Sequence, residues 1–150
     1  MTPKQKAAGW LAIATAVVAA YEGISLTAYP DIVGVPTICY GETKNVKLGQ
    51  KATKEECDEK LSARLVEFNH GVESCVTRTM RDNERVAFVS LSYNIGTAAF
   101  CKSTVVRRFN AGDKVGACDA ILMWNKAGGK VVQGLTNRRA KEREICLKDY

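Results

Sequence analysis

The chain has one histidine, His70, and none of its six cysteines stands in Cys-x-x-Cys spacing. Structural and catalytic zinc need Cys and His clustered at short, fixed spacings, so no zinc site and no metal or other cofactor is expected. The sequence also lacks internal repeats, low-complexity runs and any Pro/Gly/Ser-rich linker, so residues 1–150 read as a single domain. Nor does it contain an apolar run of the roughly 20 residues that span a bilayer comfortably. The most apolar charge-free run, "AAGWLAIATAVVAAY", covers 15 residues, 7–21, behind Lys4 and Lys6. Three readings stay open for it. It suits a signal-peptide core, with "VAA" before Tyr21 as the cleavage site. It equally suits an uncleaved export anchor over residues 1–21, or a helix buried in the protein, which tolerates apolar residues all round. Cleavage before Tyr21 would leave Glu22 second from the new N-terminus and remove the helix that could hold it.

What is present is ordinary for a globular protein: 46% hydrophobic and 25% charged residues. A chain of this length buries about two thirds of its unfolded surface. The net charge of +6 is uneven, because residues 1–100 carry 11 basic and 11 acidic side chains while 101–150 carry 11 against 5. Such an excess suits a polyanion (nucleic acid, acidic lipid or cell wall) or a solvated helix face. No nucleic-acid module accompanies Arg107–Arg108 or the Arg138–Arg143 cluster, so nucleic acid is not an expected partner. An even cysteine count without metal spacing fits disulfides formed in an oxidising compartment better than buried thiols, and that requires export.

The periodicities predict an α+β fold, mainly α, with one small sheet near the start. The apolar segment reads as helix to about Gly23, a common stop. "LTAYPDIVGVPTICYG" reads as a hairpin or meander turning at "DIVG". In the next helix Thr53 and Glu56 form a capping-box signature, and Cys57, Leu61, Leu65, Phe68 and Val72 share one face. "DNERVAFVSLSYNIG" reads as the central helix, ending at Gly96. "FCKSTVVRRFNAG" reads as one short helix and "DKVGACDAILMWNKAGG" as another capped by Asp113. The last, "LTNRRAKEREICLKDY", has Thr136 as its candidate cap. Trp10 and Trp124 read as core or membrane-interface aromatics, and His70 as a solvated helix residue.

Glu22, Asp31 and Thr37 form the one acid-and-hydroxyl set suited to chemistry, provided the hairpin doubles back beneath the helix end. A carboxyl at a helix C-terminus among apolar residues meets desolvation and the negative end of the dipole, both favouring the protonated form a general acid needs. Asp31 on an open turn would stay ionised, and Thr37 could orient a water. Two carboxyls in contrasting environments are what glycoside hydrolysis requires. From spacing alone, surface carboxylates are the competing explanation.

The stretch "EGISLTAYPDIVGVPTICYGET", together with "SLSYNIGTAAFCKSTVVRRFNAGD" and "GACDAILMWNKAGGKVVQGLTNRRAKERE", resembles the phage-type lysozymes of glycoside hydrolase family 24 in three blocks in the family's order. The resemblance implies a muramidase that cuts the β-1,4 bond between N-acetylmuramic acid and N-acetylglucosamine in peptidoglycan, by inversion, for host lysis. It implies Glu22 as proton donor, with Asp31 and Thr37 holding the attacking water. Asn94 matches a sugar-groove residue, and Arg138 an arginine that pairs with the catalytic Glu, although Arg139 next door leaves that match uncertain by one. Two departures stand out: the family has Gly at Cys39 and a structural His at Glu42, so an ion pair is expected to be missing at Glu42. A lytic transglycosylase and a non-catalytic wall-binding adaptor remain the rival readings, both disfavoured by the complete Glu/Asp/Thr set.

The same resemblance extends to exported, disulfide-bonded signal-anchor-release endolysins. It implies transient inner-membrane tethering through residues 7–21, then release into the host periplasm as a monomer. Residues 1–38 hold no Cys, so thiol caging from the anchor is not expected. Six cysteines allow 15 connectivities. The family fold packs the last two long helices together, which implies Cys118–Cys146. Cys39 at the hairpin's end and Cys57 at the next helix's start form the second expected pair, and Cys75–Cys101 remains.

Overall fold

The computed structural model describes residues 3–148, with side chains from residue 9 onward. Met1, Thr2 and the side chains of Lys4 and Lys6, which belong to the expected anchor segment, lie outside the described residues. The helices are α1 (Pro3–Tyr21), α2 (Lys54–Cys75), α3 (Asp82–Ile95), α4 (Thr97–Cys101), α5 (Thr104–Asn110), α6 (Lys114–Ala120) and α7 (Gln133–Leu147). Strands β1 (Ser25–Pro30) and β2 (Pro36–Cys39) form one antiparallel hairpin, and β3 (Lys126–Ala127) and β4 (Lys130–Val131) a second.

The order of burial follows the sequence pattern. In α1, Trp10, Ala14 and Val18 recur every fourth residue and turn inward, while Ile13 stays exposed. Among the described residues no helix is long and apolar enough to cross a membrane. The start of α2 is a capping box: Thr53 accepts from the Glu56 N–H, and the Glu56 carboxylate accepts from the Thr53 N–H, each at 3.1 Å. Its inward face carries Cys57, Leu61, Leu65, Asn69 and Val72, with Phe68 at the edge against Tyr93. Helix α3 is buried along its whole middle, Val86 to Ser92, because α1, α2 and α7 pack around it. Phe88 at its centre meets the rings of Phe100 and Phe109. His70 is exposed, Trp10 is buried and Trp124 half-buried against the core.

The structure departs from the sequence reading in three places. "FCKSTVVRRFNAG" is two helices rather than one, because the Ser103 hydroxyl accepts from the Val106 N–H and starts a new helix two residues after Cys101. After α6, capped by Asp113 as read, a short 3-10 turn (Ile121–Met123) leads into the β3–β4 hairpin, so the described residues form two small sheets. Its turn runs through Gly128 and Gly129 at φ of 57° and 78°, which glycine adopts without penalty. That hairpin delivers Val132 in extended conformation, so α7 begins at Gln133 and Thr136 lies inside its first turn instead of capping it.

Candidate active site

Glu22 is the first residue beyond α1, its N–H still bonded to the Val18 carbonyl at 3.1 Å. Gly23 and Ile24 then lead into β1, so helix end and hairpin meet at this carboxylate. Glu22 borders a cavity of about 370 Å³ shared with Ser25, Tyr29, Tyr40 and Gly41.

From α7 the Arg138 guanidinium donates to Glu22 Oε1 at 3.1 Å. Arg138 is itself buried, lies 5.1 Å over the Tyr21 ring, and donates to the Ser90 carbonyl at 3.3 Å and to Glu142 Oε2 at 3.4 Å. Glu142 is fully buried and takes a second guanidinium, Arg139, on Oε1 at 2.6 Å, and the Ser90 hydroxyl on Oε2 at 2.5 Å. Arg139 reaches on to the Asn94 side-chain oxygen. The result is a run of alternating charge, Glu22–Arg138–Glu142–Arg139, ending on Asn94 at the tip of α3. Burial pushes the Glu142 carboxyl up and the Arg139 guanidinium down, while each charge pulls the other back. Of the two adjacent arginines, Arg138 is the one that faces Glu22. Because both are buried and paired, they do not belong to a basic surface.

On the hairpin, Asp31 builds its own turn. Its Oδ1 accepts the N–H of Val33 at 2.9 Å and of Val35 at 2.8 Å, as Asx turns do. Oδ2 makes no hydrogen bond among the described residues. Thr37 is buried and donates its hydroxyl to the Val35 carbonyl at 2.9 Å, which leaves its oxygen lone pairs available to accept. No hydrogen bond or ion pair joins Glu22 to Asp31 or Thr37 among the described residues. The link is indirect, because Thr37 pairs across the ladder with Tyr29, which borders the Glu22 cavity. The structure therefore brings Arg138 to Glu22 and Asn94 to Arg139, and sets Asp31 and Thr37 farther along the same hairpin.

The cysteines are joined as Cys39–Cys57, Cys75–Cys101 and Cys118–Cys146. The position expected to lack an ion pair has one: Glu42 Oε2 lies 3.8 Å from Arg64 Nε, and Glu42 Oε1 accepts the N–H of Thr43 and Lys44. Glu142 and Ser90 went unread in the sequence. The available signal was the spacing of Arg138 and Arg139 to Glu142, i to i+4 and i to i+3 on one helix face. No group of three or more His, Cys, Asp or Glu side chains gathers among the described residues to hold a metal.

A helical body with a short hairpin folded against the end of its first helix, and a carboxylate facing the cleft between them, is a lysozyme-type fold. The phage lysozyme family model matches residues 19–142, and the chain belongs to that family of glycoside hydrolases. It is 43% identical over 127 residues, 84% of this chain and 77% of the other, to the SAR-endolysin of Enterobacteria phage P21. It is 43% identical over 141 residues, 91% and 88% of the two chains, to the SAR-endolysin of Pseudomonas phage phiKMV. A crystal structure of a P22 lysozyme variant superposes with a TM-score of 0.85 at 34% identity, covering 91% of this chain and 96% of that one.

Proposed function

We propose that this endolysin cleaves the muramidase bond by single displacement, with Glu22 as general acid and Asp31 as general base. Glu22 gives its proton to the glycosidic oxygen as the C1–O bond breaks. A water on the opposite face, held by Asp31 Oδ2 and the Thr37 hydroxyl, forms the new C1–O bond and passes a proton to Asp31. The product carries the inverted anomer, and solvent restores both carboxyls. Arg138 holds the Glu22 carboxylate in place through its hydrogen bond, and the family resemblance supports Asn94 as a sugar contact. The observation that carries the assignment is the Glu22 carboxylate at a helix end, lining a cleft and gripped by a buried arginine. Proton NMR of the first products from soluble peptidoglycan chains tests it. New N-acetylmuramic acid ends in the α form are expected. β ends would refute inversion, and anhydro ends would mean a transglycosylase.

The reading extends to location. Residues 7–21 direct export to the host periplasm, tether the monomeric enzyme to the inner membrane and then pack as α1. The relatives' SAR-endolysin names and the Ala, Gly and Thr that dilute this segment support it. Mass spectrometry of the periplasmic enzyme should find Met1 or Thr2 at its start. A start at Tyr21 would mean a cleaved signal.

A further inference from the structure

The turn from Ile38 to Glu42 closes on itself through two backbone hydrogen bonds, Ile38 N–H to Glu42 O at 2.9 Å and Glu42 N–H to Ile38 O at 2.8 Å. Two of its residues lie in the left-handed region, Gly41 at φ 94° and Cys39 at φ 62°. Glycine adopts that conformation freely, whereas a residue with a Cβ is strained there. Something outside the turn must hold Cys39 in place.

The surroundings supply three ties, all from α2, and one from α3. Cys39 is bonded to Cys57. The Tyr40 hydroxyl donates to Asp58 Oδ1 at 2.6 Å, and Lys54 holds the other oxygen of Asp58 at 2.7 Å. Glu42 pairs with Arg64. From α3, the Tyr93 hydroxyl donates to the Tyr40 carbonyl at 3.4 Å. Tyr40 and Gly41, between the tied residues, are walls of the cavity that contains Glu22. The strain is therefore stored one residue from the cleft, and the restraint runs outward to α2.

We infer that Cys39 and Cys57 are positioning residues for the Glu22 site: their bond holds a left-handed turn whose next two residues shape the wall of the cleft. This rests on the muramidase reading of that cleft. If the bond acts only as a cross-link, its loss affects catalysis equally whichever residue replaces Cys39. A bond that enforces φ at Cys39 becomes dispensable for catalysis once position 39 is glycine.

The experiment compares Cys39→Ala/Cys57→Ala with Cys39→Gly/Cys57→Ala, the other two disulfides intact, on soluble peptidoglycan fragments, with thermal midpoints measured alongside. Both variants lose the cross-link, so both midpoints should fall. The Ala variant should lose kcat about tenfold or more with KM little changed, because the wall relaxes away from the reacting bond. The Gly variant should recover most of that kcat although its midpoint stays low. Equal kcat in the two variants, whether lowered or wild-type, would overturn the proposal. Should the Ala variant fail to fold, Asp58→Ala removes another α2 tie with the disulfide intact. A severalfold lower kcat is expected, and an unchanged kcat would overturn the proposal as well. Inactive wild-type enzyme would instead sink the muramidase reading, so the two failures are distinct.

Discussion

The β1–β2 hairpin and the α3–α7 helix pair both serve the cleft, yet they are held by different means. At the hairpin tip Ile32 and Val33 are 103% and 77% exposed, and the turn is shaped by Asp31's own hydrogen bonds. The helix pair is buried: Leu91 and Ser90 of α3 and Arg139 and Glu142 of α7 are out of solvent, and the Glu142 carboxylate is shared by Arg138 and Arg139. Glu22 is attached to the buried side through Arg138, whereas Asp31 and the buried Thr37 ride on the hairpin. On the proposed mechanism, the helical body would fix the proton donor and the hairpin would carry the water. Stability should reside in the first and activity should depend on both.

The sharpest break of this comparison is at the carboxylates. Asp31→Ala and Glu22→Gln should each lower turnover by about 10²–10⁴-fold, while circular dichroism shows an intact fold. Near-wild-type turnover in either would sink the assignment. Next, Glu142→Ala leaves two buried guanidiniums without their shared partner and should cost about 3–5 kcal/mol in urea unfolding. A loss below 1 kcal/mol would show that water enters to solvate them. Asp58 sharpens the picture with pH. The Lys54 ammonium and the Tyr40 hydroxyl hold its carboxyl below the usual range. Its stabilisation is therefore fully present above the ordinary carboxylate titration and is lost as pH falls through its own lower range. The small gap in thermal midpoint between wild type and Asp58→Asn should be open at pH 7 and close below about pH 4. Smallest of all, Val33→Ser at the exposed tip should change stability by less than about 0.5 kcal/mol.

Much of this was legible locally. The Thr53–Glu56 box, the Asp113 cap, the "DIVG" turn and the apolar middle of α3 are patterns within a few residues, and each names its own structure. What escaped has a shared physical character. Ser103 sits in a stretch helical on both sides, so its capping role shows only when the chain bends there. Gly128–Gly129 signals a helix end and a hairpin turn alike, and two-residue strands are too short to show alternation. At the site, the roles of Glu22, Asp31 and Thr37 could be argued from helix-end and turn chemistry, but only the family resemblance favoured them over surface carboxylates. The Glu22–Arg138 contact joins residues 116 apart, which no local pattern reveals. That Glu142 would be buried between Arg138 and Arg139 required knowing that α7 turns this face toward α3.

The three cross-links divide the chain into disjoint loops. Each cysteine is joined to the next one along, with separations of 18, 26 and 28 residues, and no loop encloses or crosses another. For a chain whose cysteines cross a membrane in sequence order, the native pattern is then also the one reached by oxidising thiols in order of arrival. Where each pair oxidises before the next two cysteines appear, no wrong partner is at hand and no reshuffling is needed. Under that condition the order of emergence matches the one connectivity, among fifteen, that the structure holds.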